Sequence, residues 1–505
     1  MILINYKKNI LKMSVEISNK LLTFEMNIEK KNKNQFVFKN IDLSLVNAIR
    51  RICCSLIPSL AFNNSENNDD TIIHKNTSSL HNELIVNRLA LVPLNANGIF
   101  KIKTKYDKDA SKRECAFVQE SIIPNFILHE KNNNYVPIKN FSDSLQKDVT
   151  VQDFKLEITN EQKKQFEKAG ISSNEIENYV KSQLFHRDSV PDINNLDKKV
   201  ASDSIIIILK PSLSQNNDIQ EIHLHGKPIV GQPVEHSSFS RICTPFIEFM
   251  TTTDKVELER LFRNKINSIN EIRQQKNKNM ITKDSDEWMK QKSIFECIDR
   301  QKMFKQNSKG EPNEIMLTVE SINSFTPQQH IFDSIIWLKL MLNDLYFEFN
   351  RFQKSKIIEI NEHETIKNAI DVKLTNHNHT IGNILNTFGQ KLFIDNLEIP
   401  ILGNSLQFMS YRAPHPLYEE IVITMQFTPE ANMTEVHNEI ISKLRRNYDK
   451  KRIEHHDFED ENYRLSYILL IKFLIQFILE KYITPLEQKF SKLTSIQEPT
   501  FTVID

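Results

Sequence analysis

Residues 40–51 read NIDLSLVNAIRR, and residues 376–387 read NHNHTIGNILNT. At a constant offset of 336 residues, Asn40 meets Asn376, Ser44 meets Thr380, Leu45 meets Ile381, Asn47 meets Asn383 and Ile49 meets Leu385. The first copy places Leu45, Ala48, Ile49 and Ile52 at helical spacing, with Asp42 or Ser44 as N-cap and Pro58 as the stop. The expected helix covers about 43–56. The second copy predicts a helix from Thr380 to about Leu392.

Each copy sits in a similar neighbourhood. Val15 to Phe38 alternates on both sides of a Lys/Asn turn, a hairpin signal just ahead of the first helix. A strand over Asp371–Leu374 precedes the second helix, and alternation after Leu417 argues another strand beyond it. Ile331, Ile335, Leu338, Leu342, Leu345, Phe349 and Phe352 step by 4, 3, 4, 3, 4 and 3, the heptad pattern of a helix packed along another helix. That helix needs a partner. ENYRLSYILLIKFLIQFILEKYI (461–483) supplies one, its polar Lys472, Gln476 and Glu480 falling on one narrow stripe. A membrane span is the competing reading of this block. Its uninterrupted apolar run is shorter than the ~20 residues a bilayer requires, and Lys472 near mid-span is costly, so we expect no membrane association.

Composition bounds the function. The 505 residues suffice for two or three domains, and 39% hydrophobic with 26% charged residues describes a chain that buries real cores. Lys plus Arg equals Asp plus Glu at 65 each, so no global charge commits the chain to nucleic acid or anionic membrane. Eight glycines are few, and Gly226-Lys-Pro-Ile-Val-Gly231 continues as Gln232-Pro233 where a phosphate loop needs Lys and Ser or Thr. Cys53, Cys54, Cys115, Cys243 and Cys297 contain no CxxC, which disfavours a disulfide framework and a zinc knuckle and favours a reducing compartment. Lys7, Lys8 and Lys12 split the apolar residues of the first 14, so we expect no signal peptide.

Other stretches are less patterned. Residues 63–82 form a polar Asn/Ser/Asp run that reads as a loop, NELIVNRLALVPL (82–94) is apolar up to Pro93, and residues 100–200 mix charges and prolines around a helical EQKKQFEKAG. SIIIILK (204–210) reads as a buried strand, and 252–306 as a charged helical block without a strong apolar face. Asp69-Asp70 sits in a soft loop, the wrong place for two-metal chemistry. His377 and His379 lack a third ligand, so a turn role outweighs a metal role. His223, His225 and His236 stand near Ser237, Ser238 and Ser240 without a nucleophile elbow and read as packing and interface residues. Asn47 and Asn383 suit the satisfaction of backbone groups at a strand-to-helix turn. Arg50 and Arg51 end the first helix, where they serve the macrodipole or a partner.

FVFKNIDLSLVNAIRRICCSLIPSLAF resembles the signature segment of the third-largest subunit of eukaryotic RNA polymerases, its archaeal D counterpart and the bacterial alpha subunit. NELIVNRLALVPL and GQPVEHSSFSRI resemble later motifs of the same family. NHNHTIGNILNTF with YRAPHPLYEEIVITMQF is similar to the eleventh subunit and its archaeal L counterpart, Gly382, Asn383, His415 and Pro416 carrying the motif. Two such subunits on one polypeptide, in a sequence whose Asn, Ile and Lys content points to an AT-rich genome, resemble the fused assembly subunit of RNA polymerases of large cytoplasmic DNA viruses.

The resemblance implies an α+β fold with two alpha-subunit-type dimerisation domains, each an antiparallel sheet plus long helices, fused as a pseudo-heterodimer. The expected organisation is a third-subunit-like domain over 13–62 and 236–352, an inserted α/β subdomain over 63–235, a linker over 353–369 and an eleventh-subunit-like domain over 370–495. It implies a non-catalytic platform for the two largest polymerase subunits and smaller subunits, with nucleic acid met only through the complex and no cofactor. Transcription would be intracellular, in virion and host cytoplasm, with the nucleus left open. Arg50, Arg51 and Asn47 would face a large subunit. Ile331, Ile335, Leu338, Leu342, Leu345 and Phe349 would pair with Leu470, Leu474 and Phe477. Relatives with a cysteine-held metal in the insertion differ from this chain, which offers only Cys115 there, and we expect no structural metal. A free-standing pairing module and an enzyme working from 100–200 or 252–306 are the competing readings.

Overall fold

The computed structural model describes residues 23–30, 33–62, 70–96, 98–105, 114–117, 122–135, 145–192, 195–212, 219–307, 310–350, 355–367, 369–395, 405–428 and 462–504. The expected start of the first hairpin at 15–22, Asp69 and the heptad position Phe352 lie outside these residues. The chain divides into two compact units, Met1–Asn47 with Phe246–Thr318, and Ala48–Pro245 with Val319–Asp505.

The first unit carries a four-stranded sheet in the order Thr23–Lys30, Lys33–Lys39, Glu314–Glu320, Phe246–Phe249. Phe36 and Phe38 of one strand and Ile315 and Leu317 of another are fully buried. The charged block expected to lack an apolar face has one. Helices Lys255–Gln275 and Asp286–Cys297 enclose a small core of Phe262, Ile266, Ile281 and Phe295. Phe262 and Ile266 stand one turn apart and pack with Phe295, and Leu258, Leu261 and Ile269 widen the same face.

The second unit carries another four-stranded sheet, all antiparallel, in the order Ile358–Glu362, Ala369–Thr375, Glu420–Phe427, Leu406–Arg412. The two sheets have the same plan. In each, the strand leading into the NxxxS/T motif lies second, and the strand preceding a long helix lies third. Lys33–Lys39 and Ala369–Thr375 keep the 336-residue offset at both ends. Ile358–Glu362 falls inside the stretch expected as a linker; only Ile358 of it is buried, and pairing with the neighbouring strand holds it in the sheet.

The second unit also holds an antiparallel sheet ordered Thr71–Asn76, Glu221–Gly226, Asn125–Lys131, Lys155–Glu157. Thr71–Asn76 corrects the loop reading of 63–82: its polar side chains belong to an edge strand with solvent on one side. Helix Asn160–Lys168 starts at a capping box in which Thr159 and Gln162 serve each other's backbone N–H. Phe62, Phe126, Phe154 and Phe185 pack face and edge beneath the sheet. Ile205–Leu209 is a strand but only partly buried: Ile206, Ile207 and Leu209 point inward while Ile205 and Ile208 are exposed. Helix and sheet mix throughout, an α+β composition.

Candidate functional site

Backbone chemistry explains why the quoted sequence recurs. Asn40 has φ 57° and Asn376 has φ 61°, so both turns pass through the left-handed region that Asn tolerates better than other side-chain-bearing residues. Two residues on, Asp42 Oδ1 accepts from Ser44 N at 2.7 Å, and Asn378 Oδ1 accepts from Thr380 N at 3.0 Å. Each is an Asx cap on the helix that follows, so Asp42 rather than Ser44 is the first N-cap. The helices are Leu43–Ser55 and His379–Gly389, the second continuing through a π-helical turn, Gln390–Ile394. Leu45, Ile49 and Ile52 of one and Ile381, Leu385 and Phe388 of the other are buried at matching positions.

The second helix lies very close to its sheet. A Cβ on Gly382 would stand 2.5 Å from Tyr411 Cδ2, and one on Gly389 would collide with Met409. The two glycines are two turns apart and meet alternate residues of one strand, so the helix axis runs along that strand at contact distance. His379 Nδ1 lies 3.3 Å from the Tyr411 hydroxyl. Burial raises the pKa of that phenol, while the cation of Arg51 pulls it down.

Arg51 reaches this place directly. Its Nε donates to Thr380 Oγ1 at 2.9 Å, so one of the two arginines expected to face a partner engages the second motif of its own chain. Arg50, Asn47 and Asn383 are half-buried. His415 and Pro416 are exposed between strands Leu406–Arg412 and Glu420–Phe427, where His415 Nδ1 accepts from Leu417 N at 3.2 Å.

The heptad residues lie on helix Pro327–Asn350. Ile331, Ile335, Leu338, Leu342, Leu345 and Phe349 are all at most 1% exposed, and Leu470, Leu474 and Phe477 are buried in helix Asn462–Ile478. The two helices pack against each other, and the heptad helix also meets the π-helical turn Leu479–Ile483 and helix Thr484–Thr494. Phe332 stacks near Phe490, and Lys339 Nζ binds Glu487 Oε2 at 2.6 Å. The polar stripe is used inside the packing. Lys472 places its ammonium 5.7 Å from the centre of the Tyr346 ring, with burial lowering its pKa, and Gln476 Nε2 donates to Glu480 Oε1 at 2.9 Å. No helix among the described residues is long and apolar enough to cross a membrane.

The expected histidines fall into three settings. His377 is half-buried, and desolvation of its ring lowers its pKa to about 4. His223 and His225 lie on the outer face of the antiparallel sheet beside His74 and His129, with His74 Nε2 2.7 Å from His225 Nδ1. His236 caps the short turn Ser237–Phe239, its Nδ1 2.9 Å from Ser238 Oγ. Among the described residues no three His, Cys, Asp or Glu side chains are grouped as a metal site.

Sequence reasoning missed a buried polar cluster beside the heptad. Arg241 and Asp333 are 4% and 0% exposed, 3.6 Å apart, and Thr500 lies between them. Thr500 Oγ1 donates to Asp333 Oδ2 and accepts from Arg241 Nη1 at 2.7 Å; Arg241 Nη2 also donates to Pro58 O. Burial lowers the guanidinium to about 10, which leaves it charged at neutral pH. The one sequence signal was a charged residue, Asp333, between Ile331 and Ile335 in a largely apolar run.

Residues 35–340, more than half of the chain, match the RNA polymerase Rpb3/Rpb11 dimerisation domain. A conjugation stage-specific protein of Tetrahymena thermophila is 41% identical over 64 residues, 13% of this chain and 19% of that protein. The DNA-directed RNA polymerase subunit Rpo3 of Methanosphaera stadtmanae is 37% identical over 73 residues, 14% of this chain and 25% of that subunit. The DNA-directed RNA polymerases I and III subunit rpac1 of Dictyostelium discoideum is 30% identical over 107 residues, 17% of this chain and 29% of that subunit. The chain thus spans less than a third of the length of each of these relatives. With a match that runs from the strand before the first motif into the heptad helix, the chain belongs to the RNA polymerase Rpb3/Rpb11 dimerisation domain family.

Proposed function

We propose that this chain is a non-catalytic assembly platform of a DNA-dependent RNA polymerase, built from two unequal dimerisation domains on one polypeptide. The observation that carries this reading is the duplicated turn: the same left-handed Asn, Asx cap and buried helix face occur twice, on two sheets of the same strand order. One such domain leaves a helix face to be covered by its copy, and the packing of the heptad helix on the apolar helix supplies that cover within the chain. The viral fused assembly subunit is the form of this family that unites both domains, and we place the chain there.

In this reading the two largest polymerase subunits dock on the paired domains, and Arg50, Arg51 and Asn47 contribute to the surface for one of them. Affinity purification of the tagged chain from producing cells should recover two large catalytic subunits in stoichiometric amounts. Arg50→Glu should reduce recovery of one of them while the chain stays folded. Reversal at Arg51 would in addition break the bond to Thr380. A free-standing pairing module is the second reading, favoured by the match to the conjugation stage-specific protein, whose name carries no polymerase. Recovery of the chain without large subunits selects it.

A further inference from the structure

After helix Thr484–Thr494 the chain turns at Ser495, whose φ of 60° is left-handed, and runs back along the second unit. What it meets there has the form of a site. Gln329 Nε2 donates to the Glu498 carbonyl at 3.0 Å, and Thr500 N donates to Asp333 Oδ1 at 3.0 Å. The Thr500 hydroxyl fills the gap between the Arg241 guanidinium and the Asp333 carboxylate, donating to one and accepting from the other. The next residue, Phe501, is 1% exposed and meets the Trp337 ring edge-on, with centroids 5.3 Å apart. Phe501–Ile504 then pairs in parallel with Ile102–Lys105, in the register Phe501 to Ile102 and Ile504 to Lys105.

These are the components by which proteins hold an extended peptide: an open strand edge for the backbone, a polar anchor, and an aromatic pocket for one side chain. We propose that Arg241, Asp333, Trp337 and the edge of strand Ile102–Lys105 form a peptide-binding cleft, and that Glu498–Ile504 is its built-in strand ligand. A buried ion pair at 3.6 Å is poorly matched on its own, and the Thr500 hydroxyl completes it by serving both charges. The cleft therefore selects a hydroxyl residue followed by an aromatic one. Occupied, it ties the end of the long helical block to the heptad helix and to the strand Ile102–Lys105. That this tie joins the two domains of a platform rests on the proposed function; the existence of the cleft does not.

The test uses the full chain with a protease site placed within Ser495–Gln497. After cleavage, the released segment should stay with the chain on gel filtration and exchange with a fluorescent peptide of residues 496–505 in a saturable manner. Thr500→Ala and Phe501→Ala peptides should compete at least about tenfold more weakly, each having lost a buried anchor. Absence of saturable binding, or competition by the variant peptides as strong as by the unaltered peptide, overturns the proposal. In the uncut chain, Thr500→Ala should speed amide exchange at Ile102–Lys105 more than at Ile370–Leu374, and uniform exchange there would also overturn it. Failure of the polymerase reading shows separately, as missing large subunits in the affinity purification with peptide binding intact.

Discussion

Arg51 Nε donates to Thr380 Oγ1 at 2.9 Å, joining the C-terminal half of one motif helix, which runs on to Ser55, to the first turn of the other. Thr380 is 3% exposed, so its hydroxyl has little access to water as a substitute partner. Arg51→Ala and Thr380→Val should each cost about 1 kcal/mol in urea unfolding. The double variant should cost clearly less than the sum, because the second change removes a bond already lost. Additive values would show that the contact carries no energy. Arg51→Ala should also raise the Tyr411 phenol pKa further, since the cation that lowers it is gone, and absorbance titration reads this directly.

The close approach of helix His379–Gly389 to strand Leu406–Arg412 makes a second prediction. Gly382→Ala puts a methyl 2.5 Å from Tyr411 Cδ2 and 3.2 Å from Ile421 Cδ1, so two side chains must shift to admit it. The expected cost is about 1–3 kcal/mol, in the range of overpacking. Combining it with Tyr411→Ala should recover part of that loss. If Gly382→Ala is neutral in thermal unfolding, the helix is not held at the distance seen.

The duplicated turn was legible in the sequence because its causes are local. An Asn in the left-handed region, an Asx cap two residues later and buried residues at i, i+3 and i+4 all lie within a dozen positions. The heptad was legible for the same reason. What escaped depends on distant partners. Strand Ile358–Glu362 owes its state to Ala369–Thr375, Thr71–Asn76 to Glu221–Gly226, and the core at Phe262 and Phe295 to the packing of one helix on the next. The Arg241, Asp333 and Thr500 cluster draws on three remote segments and leaves only one charged residue in an apolar run as its trace. Arg51 was read as a partner-facing residue because nothing near it in sequence announces Thr380, 329 positions on.

The heptad helix sets the energetics of the packing. Leu338 is fully buried at its centre, so Leu338→Ala should cost about 2–5 kcal/mol, the transfer loss plus an unfilled cavity. Lys472→Met should cost little or stabilise, because burial already disfavours the ammonium and the methylene stem is kept. A loss above 2 kcal/mol for Lys472→Met would mean that the cation over Tyr346 outweighs its desolvation (threshold set at about the upper range for such contacts).

Thiol chemistry separates the cysteines by position. Cys53 is buried, its Sγ 3.9 Å from His330 O, and burial pushes its pKa up to about 12. Cys243 and Cys297 are exposed. Alkylation of the native chain followed by peptide mass spectrometry should modify Cys243 and Cys297 and leave Cys53 untouched until denaturant is added. Native labelling of Cys53 would contradict its burial.

His377 and Ile41 hold the same position in the two turns, Ile41 buried and His377 half-buried. The His377 ring pays for this slot: its Nδ1 finds no hydrogen-bond partner among the described residues, and its pKa falls from 6.5 to about 4. The unfolded chain takes up this proton first as pH falls. Between about 6.5 and about 4 the unfolded state therefore holds more protons, and stability drops with falling pH, levelling off below the folded value. The full effect is on the order of 3 kcal/mol. His330, lowered to about 3 by burial, adds a second loss of the same sign that continues to lower pH. His377→Ile, which copies the first turn into the second, should leave one of the two slopes. Urea midpoints near neutral pH should change little or rise, and the rise should grow as pH falls towards about 4, below which the histidine penalty levels off. An unaltered dependence of the midpoint on pH in the variant would show that His377 is not held neutral in the folded chain.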